Sequence, residues 1–183
     1  MNKSFVDKII YGGGLLFDLG KWLLLTLIFL AIVNTFLFAV FIVDGESMEP
    51  NFHDKEAVFW EKSSLVYRNH DPKRGEIALV QYPGDPTQKQ YVKRTIGLPG
   101  ETITIFAGKV YINDNVLEEE YLPVDLATYP NGKWALNDKQ FFLMGDNREN
   151  SNDSRFFGPV EKRFILGKAL AVVFPRFLLA KDM

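Results

Sequence analysis

A serine, Ser47, stands between Glu46 and Glu49 in GESMEPNF (45–52), directly after a long apolar run. Its hydroxyl becomes a nucleophile only if a neighbouring base takes its proton. The chain holds two histidines, His53 in NFHDK and His70 in RNHDPKRG, and both lie in polar surroundings that read as solvated loops. A lysine can replace histidine when it is neutral, which requires a dry site that lowers its pKa by several units. Lys93 in QYVKRTIGLPG has such a context. Tyr91, Val92 and Ile96 lie around it, and Arg94 adds a like charge that disfavours protonation. Most other lysines sit beside acids or in turns.

The densest polar string is GDNRENSNDSRFFG (145–158), directly after apolar QFFLM. Its alternating acids, arginines and hydroxyls suit either a plain surface loop or a partly buried hydrogen-bonded network that braces a lysine. Asp146, Asn147 and Asp153 superficially resemble a calcium loop. The D-x-[DN]-x-[DN]-G spacing and the closing Glu are missing, so no metal is expected. The chain has no cysteine, which excludes disulfides, thiolate metal sites and a cysteine nucleophile. A net charge of −2 gives no footprint for nucleic acid.

These residues need elements to hold them. Residues 22–43, WLLLTLIFLAIVNTFLFAVFIV, carry no charge. As a helix they would span about 33 Å, enough for a bilayer core of ~30 Å. The run is longer than a signal-peptide core and ends in FIVDGES without a small-x-small site, so it reads as an uncleaved anchor. Lys3, Lys8 and Lys21 precede it, and Asp44, Glu46 and Glu49 follow. That asymmetry places the N-terminus in the cytoplasm and the remainder outside the membrane. Three lysines against Asp7 and Asp18 leave +1 before residue 44, so the exported part carries −3. The glycines at 12–14 suggest a break between a short amphipathic start and the span.

Beyond residue 56 the pattern shortens and alternates. AVFWEK, EIALVQY, TITIFA, KVYIN, QFFLMG and ALAVVFP are β-branched, aromatic and bounded by turn formers, so the exported part is expected to be mostly β. TITIFAGKVYIND reads as a hairpin turning at Ala107-Gly108. IGLPGE (96–101) reads as a rigid turn. PVEKRFIL offers the only helical hint, and residues 117–134 read as a solvated loop or small excursion. The expected organisation is a cytoplasmic segment 1–21, a membrane helix 22–43 and a catalytic β domain 44–183.

The membrane anchor, GESMEP, RGEIALVQYP, YVKRTIGLPGE and GDNRENSNDSRFFG occur in an order that resembles bacterial type I signal peptidases. The resemblance reaches to about Phe174, and the last motif is the most specific. It implies a mostly β fold of coiled antiparallel sheets behind one N-terminal helix. It also implies a Ser-Lys endopeptidase that removes signal peptides from exported preproteins after small residues at −1 and −3. Ser47 would be the nucleophile and Lys93 the general base. Ser151 would hydrogen-bond and orient the lysine. Asp153 and Arg155 would pair to brace the site, and Asp146 would pair with Arg94. No cofactor or metal is implied. The partners would be signal peptides and the lipid bilayer, with Phe52, Phe59 and Trp60 as candidates for lipid contact, against ordinary core packing as the other reading of the same residues.

Three features depart from the family pattern. Asn51-Phe52 stand where Thr-Leu is frequent. Gly45 occupies a position that carries a hydroxyl in some members, so the oxyanion hole would rest on backbone N–H groups, chiefly that of Ser47, in the region of Gly45. The chain has a single anchor and a compact domain. The last two features match Gram-positive members. Other readings are a self-cleaving repressor-type Ser-Lys domain, a non-catalytic assembly factor on the same scaffold, and a peptidase specialised for pilin-like substrates.

Overall fold

The apolar run forms a helix, but one that starts earlier and stops sooner than 22–43. The computed structural model describes residues 3–62, 67, 70–82 and 84–183; the side chains of 1–13, including the flanking Lys3 and Lys8, and of Asn34, Phe36 and Asp182 lie outside the described residues. Helix α1 runs Lys3–Phe36 without a break at the glycines. A glycine inside a helix costs roughly 0.5–1 kcal/mol relative to alanine, which long apolar flanks can override. The stretch Gly14–Val33 is 20 residues long with a mean hydropathy of 2.1. Leu16, Phe17, Leu23 and Phe29 are exposed along it. Thr26 Oγ1 donates to the Trp22 carbonyl at 2.9 Å, so this hydroxyl is satisfied within the helix. The chain therefore has one N-terminal apolar helix of the kind a single-pass membrane anchor requires.

Residues 37–43, assigned to the helix from sequence, do not belong to it. Phe38–Ile42 is strand β1 and pairs antiparallel with β2 (Ala57–Lys62), from Phe38 opposite Glu61 to Ile42 opposite Ala57. FAVFI is aromatic and β-branched, and a short apolar run of that kind fits strand and helix equally by periodicity. The partner strand decides.

Phe38–Met183 forms a separate unit. Its remaining strands are β3 (Ile77–Gln81), β4 (Gln90–Gly97), β5 (Thr102–Phe106), β6 (Lys109–Ile112), β7 (Asn115–Val116), β8 (Gly132–Ala135), β9 (Gln140–Met144), β10 (Val160–Glu161), β11 (Ile165–Phe174) and β12 (Leu178–Leu179). A four-residue helix, α2 (Ser154–Phe157), follows the GDNR string. The larger sheet runs β1-β2-β11-β3-β4-β9-β10, with β12 added beside β11; the smaller runs β7-β6-β5-β8. The described strand pairs are antiparallel. Fold class therefore agrees with the expectation of a mostly β chain behind one apolar helix.

The expected hairpin is present: Phe106 faces Lys109, and Ala107 (φ 50°) and Gly108 (φ 78°) form its two-residue turn. Positive φ at both positions matches the right-handed twist of the flanking strands. PVEKRFIL is not helical beyond a single 3-10 turn, Lys162–Phe164, and feeds β10 and β11.

Three apolar clusters fill the unit. One joins Val43, Met48, Phe52 and Trp60 to β3 and β11; a second lies around Phe141, Leu143 and Ile165; the third joins β4 and β9 to the small sheet through Ile96, Phe142, Ile103 and Ile105. Phe52 and Trp60 are thus core residues, 0% and 1% exposed, and not lipid contacts. Phe59 stacks on Phe38 with ring centroids 5.0 Å apart. The exposed apolar residues of this region are instead Val40, Ile42, Phe174 and Phe177. Phe52→Ala is expected to cost about 3–5 kcal/mol in denaturant unfolding of the detergent-solubilised chain. Phe177→Ser is expected to change stability by no more than about 0.5 kcal/mol.

Candidate active site

The turn that carries Ser47 is closed by its own ends. The Val43 N–H donates to the Glu56 carbonyl at 2.8 Å, and the Lys55 N–H to the Val43 carbonyl at 2.9 Å. Met48 and Phe52 point into the core and peg the loop. Between them the backbone coils, with the N–H groups of Asn51 and Phe52 both donating to the Met48 carbonyl at 3.0 Å. Gly45 sits at φ +105°, where a side chain would be strained, and its N–H donates to Asp54 Oδ1 at 2.8 Å.

Lys93 comes from the middle of the large sheet. It lies on β4, opposite Ala78 of β3, and is 1% exposed. Its Nζ is 2.7 Å from Ser47 Oγ. The structure thus brings together the two residues singled out as nucleophile and base. Burial pulls the Lys93 pKa down from 10.5 to about 8, because an ammonium loses its hydration there. Asp153 and Asp146 oppose that shift, and Arg155 assists it. Successive strand residues face opposite ways, so Arg94 turns from the lysine to Asp146. The cation acting on Lys93 is Arg155, not the sequence neighbour Arg94.

Two buried ion pairs surround the dyad. Arg94 holds Asp146 with both forks, Nε–Oδ1 at 2.8 Å and Nη2–Oδ2 at 2.6 Å. Arg155 holds Asp153 likewise, with both bonds at 2.8 Å. Asp153 also caps α2 through the Arg155 N–H and accepts the Gly145 N–H at 2.9 Å. Both expected pairs are therefore formed. The string 145–158 also grips the Ser47 turn: the Asn147 N–H donates to the Ser47 carbonyl at 3.1 Å, and Asn147 Nδ2 to the Glu46 carbonyl at 3.1 Å. A Cβ on Gly145 would overlap Ser151 Oγ and the Ser47 carbonyl oxygen, so only glycine permits this approach.

With that geometry in view, the chain can be set beside known proteins. Residues 16–174 match the family described as signal peptidase, peptidase S26. The chain is 36% identical over 168 residues to signal peptidase I of Bacillus amyloliquefaciens, covering 86% of this chain and 88% of that one. It is 34% identical over 166 residues to signal peptidase I S of Bacillus subtilis (strain 168), covering 85% and 87%. The chain belongs to the signal peptidase S26 family. Among solved structures, signal peptidase I from Enterococcus faecalis V583 is similar at a TM-score of 0.47 and 28% identity, over 54% of this chain and 96% of that one.

Two expectations for this S26 chain meet a different geometry. Ser151 is buried, but its Oγ has no hydrogen-bond partner among the described residues, so the expected bond to Lys93 is not made. It packs instead against Gly145, beside the Ser47 carbonyl. The Gly45 N–H is committed to Asp54. Of the suggested oxyanion donors, the Ser47 N–H is the one that makes no hydrogen bond among the described residues. Ser47 and Lys93 open onto a cavity of about 410 Å³ lined also by Gly45, Glu46, Tyr91 and Asn152.

The excursion at 117–134 is not merely solvated, as expected from sequence. Glu119 pairs with buried Arg148, which also reaches Thr128 Oγ1 at 2.6 Å and the Gly145 carbonyl at 3.1 Å. The Tyr121 ring lies 3.8 Å from the Arg94 guanidinium carbon. Residues 132–135 form β8. Nothing in the run LEEEY distinguishes these partners from a solvated acidic loop.

Burying an amine this way carries a stability penalty. Folded Lys93 binds its proton less tightly than the unfolded chain does, so the penalty is full below pH 8 and fades as pH rises from about 8 to 10.5. Lys93→Met is expected to stabilise the chain at pH 7 by about 3 kcal/mol. The gain should shrink toward zero near pH 10.5, as read by denaturant unfolding at several pH values.

Proposed function

We propose that this chain is a membrane-anchored serine endopeptidase that removes N-terminal signal peptides from exported preproteins, with Ser47 as nucleophile and Lys93 as general base. Membership of the signal peptidase S26 family supports the activity. The observation that carries the assignment of roles is the 2.7 Å contact between Ser47 Oγ and a lysine amine that is 1% exposed.

At pH 7 about a tenth of Lys93 would be neutral, given its pKa of about 8. The neutral amine accepts the Ser47 proton as Oγ attacks the scissile carbonyl. The oxygen of the tetrahedral intermediate takes the Ser47 N–H as donor. Protonated Lys93 returns the proton to the leaving amine, which is the new N-terminus of the mature protein. The acyl-enzyme is then hydrolysed by a water that the again neutral Lys93 deprotonates. Arg94–Asp146 and Arg155–Asp153 act as positioning pairs that keep the dyad in register. Ser151 supports the Gly145 backbone beside the nucleophile.

The substrate segment enters extended, beside a strand edge, with small residues at −1 and −3 in shallow pockets. Lys3, Lys8 and Lys21, all ahead of the uncharged run that begins at Trp22, and the acids Asp44, Glu46 and Glu49 after it support a cytoplasmic N-terminus and an exported β domain. The exposed Val40, Ile42, Phe174 and Phe177 support contact of the β domain with lipid near the scissile site.

The test is cleavage of a detergent-solubilised preprotein carrying an Ala-x-Ala site. The wild type is expected to cut after the second alanine, while Ser47→Ala and Lys93→Ala stay folded and lose at least about a thousandfold in kcat. Lys93→Arg should be equally inactive, because a guanidinium stays charged. With Lys93 as base, kcat/KM should climb close to tenfold per pH unit below about 8 and level off above it. Full activity in Lys93→Arg would remove the lysine from the mechanism.

A further inference from the structure

Asn51 lies four residues after the nucleophile and is half-buried. Its side-chain nitrogen has two hydrogens, and both are used. Nδ2 donates to Asp146 Oδ2 at 2.8 Å and to the Tyr121 carbonyl at 3.0 Å. Both partners are acceptors, which fixes the orientation of the amide. The Asn51 main-chain carbonyl accepts Arg176 Nη2 at 2.7 Å, and the same guanidinium pairs with Glu56 at 2.7 Å.

These contacts close a ring. Lys93 is bonded along the strand to Arg94; Arg94 holds Asp146; Asp146 holds Asn51; Asn51 leads back through the turn to Ser47, whose Oγ meets Lys93 Nζ at 2.7 Å. Ring closure sets the separation of the two reacting side chains. The second hydrogen of Asn51 adds the excursion to the ring, because Tyr121 supplies the carbonyl while its ring covers the Arg94 guanidinium. A threonine at this position has one hydroxyl hydrogen and could hold only one of the two acceptors.

We infer that Asn51 is a positioning residue of the Ser47–Lys93 pair, and that its two donated hydrogen bonds lock the nucleophile turn to Asp146 and to the excursion that carries Tyr121. The inference rests on the serine-lysine peptidase reading for its effect on rate, but the anchoring of the turn can be read without activity.

The experiment compares the full detergent-solubilised chain with Asn51→Thr and Asn51→Val, which have nearly the same shape and differ in the donor. Cleavage of the Ala-x-Ala preprotein is expected to lose about tenfold or more in kcat for Asn51→Val, with KM within about twofold. Asn51→Thr should stay within about threefold of wild type. The acid limb of kcat/KM should remain in place in both, because Lys93 stays buried. Amide hydrogen exchange in residues 45–52 should quicken in Asn51→Val and much less in Asn51→Thr. Should the valine variant fail to fold, Asn51→Ala takes its place in the comparison. Equal kinetics for the threonine and valine variants, or a loss confined to KM, overturns the inference. A wild type that cuts no preprotein defeats the peptidase reading instead. Exchange then decides on Asn51, with equal rates in the two variants overturning the anchoring role.

Discussion

An amine that loses its hydration inside a sheet prefers to lose its proton, and the architecture around Ser47 follows from keeping that preference intact. Lys93 is 1% exposed, and unlike the buried Arg94, Arg148 and Arg155 it makes no ion pair among the described residues. A nearby unpaired carboxylate would reverse the effect of burial by holding the ammonium form. Two carboxylates, Asp146 and Asp153, are close enough to act on the lysine in that direction. Each is bound by both forks of its own guanidinium, Arg94 or Arg155. The pairs keep the surroundings of Lys93 close to neutral in sum, so desolvation dominates. Breaking either pair would strand a buried charge, a change that typically costs 3–5 kcal/mol.

The fold supplies this environment with few elements. β4 lies between β3 and β9, so Lys93 is flanked by paired strands on both sides. The end of β9 leads into Gly145, and the missing side chain there lets the following loop press against the Ser47 carbonyl. The turn holding Ser47 is pegged to the core by Met48 and Phe52 and held from above by Asn147. Backbone contacts thus share the positioning with the two buried ion pairs.

Legibility in the sequence tracked how local each signal was. Strands with alternating apolar residues and a two-residue turn were readable, because pleating and turn chemistry depend on near neighbours. The burial of Lys93 was readable from its apolar context, and the two Asp-Arg pairs entered through the resemblance to a known family. What was misread depends on distant partners. FAVFI at 38–42 joined the helix until AVFWEK was seen to pair with it. Phe52 and Trp60 fit either lipid contact or core packing by sequence, and only their packing with β3 and β11 decides for the core. Arg94 was given the electrostatic role that belongs to Arg155, because adjacency in sequence on a strand means opposite faces. Glu119, Tyr121 and Asn51 gave no local sign that they meet Arg148, Arg94 and Asp146.

The dyad is buried on one side only, and that asymmetry bears on how it could act. Lys93 is hidden, whereas Ser47 is half-buried and opens onto the 410 Å³ cavity. An extended peptide laid in that cavity would displace the water that lies over Ser47 and around the hidden amine. Further desolvation lowers the pKa of a lysine further, so occupancy itself would raise the neutral fraction. For the proposed role of Lys93 as base a pKa of about 8 is then well placed, because the charged form is only modestly favoured at neutral pH. A histidine would need no such shift, but it would offer no comparable coupling between a filled cleft and an active base. On the proposed mechanism, the cost of hiding a lysine in the sheet would be tied to a site whose reactivity rises as its substrate excludes water.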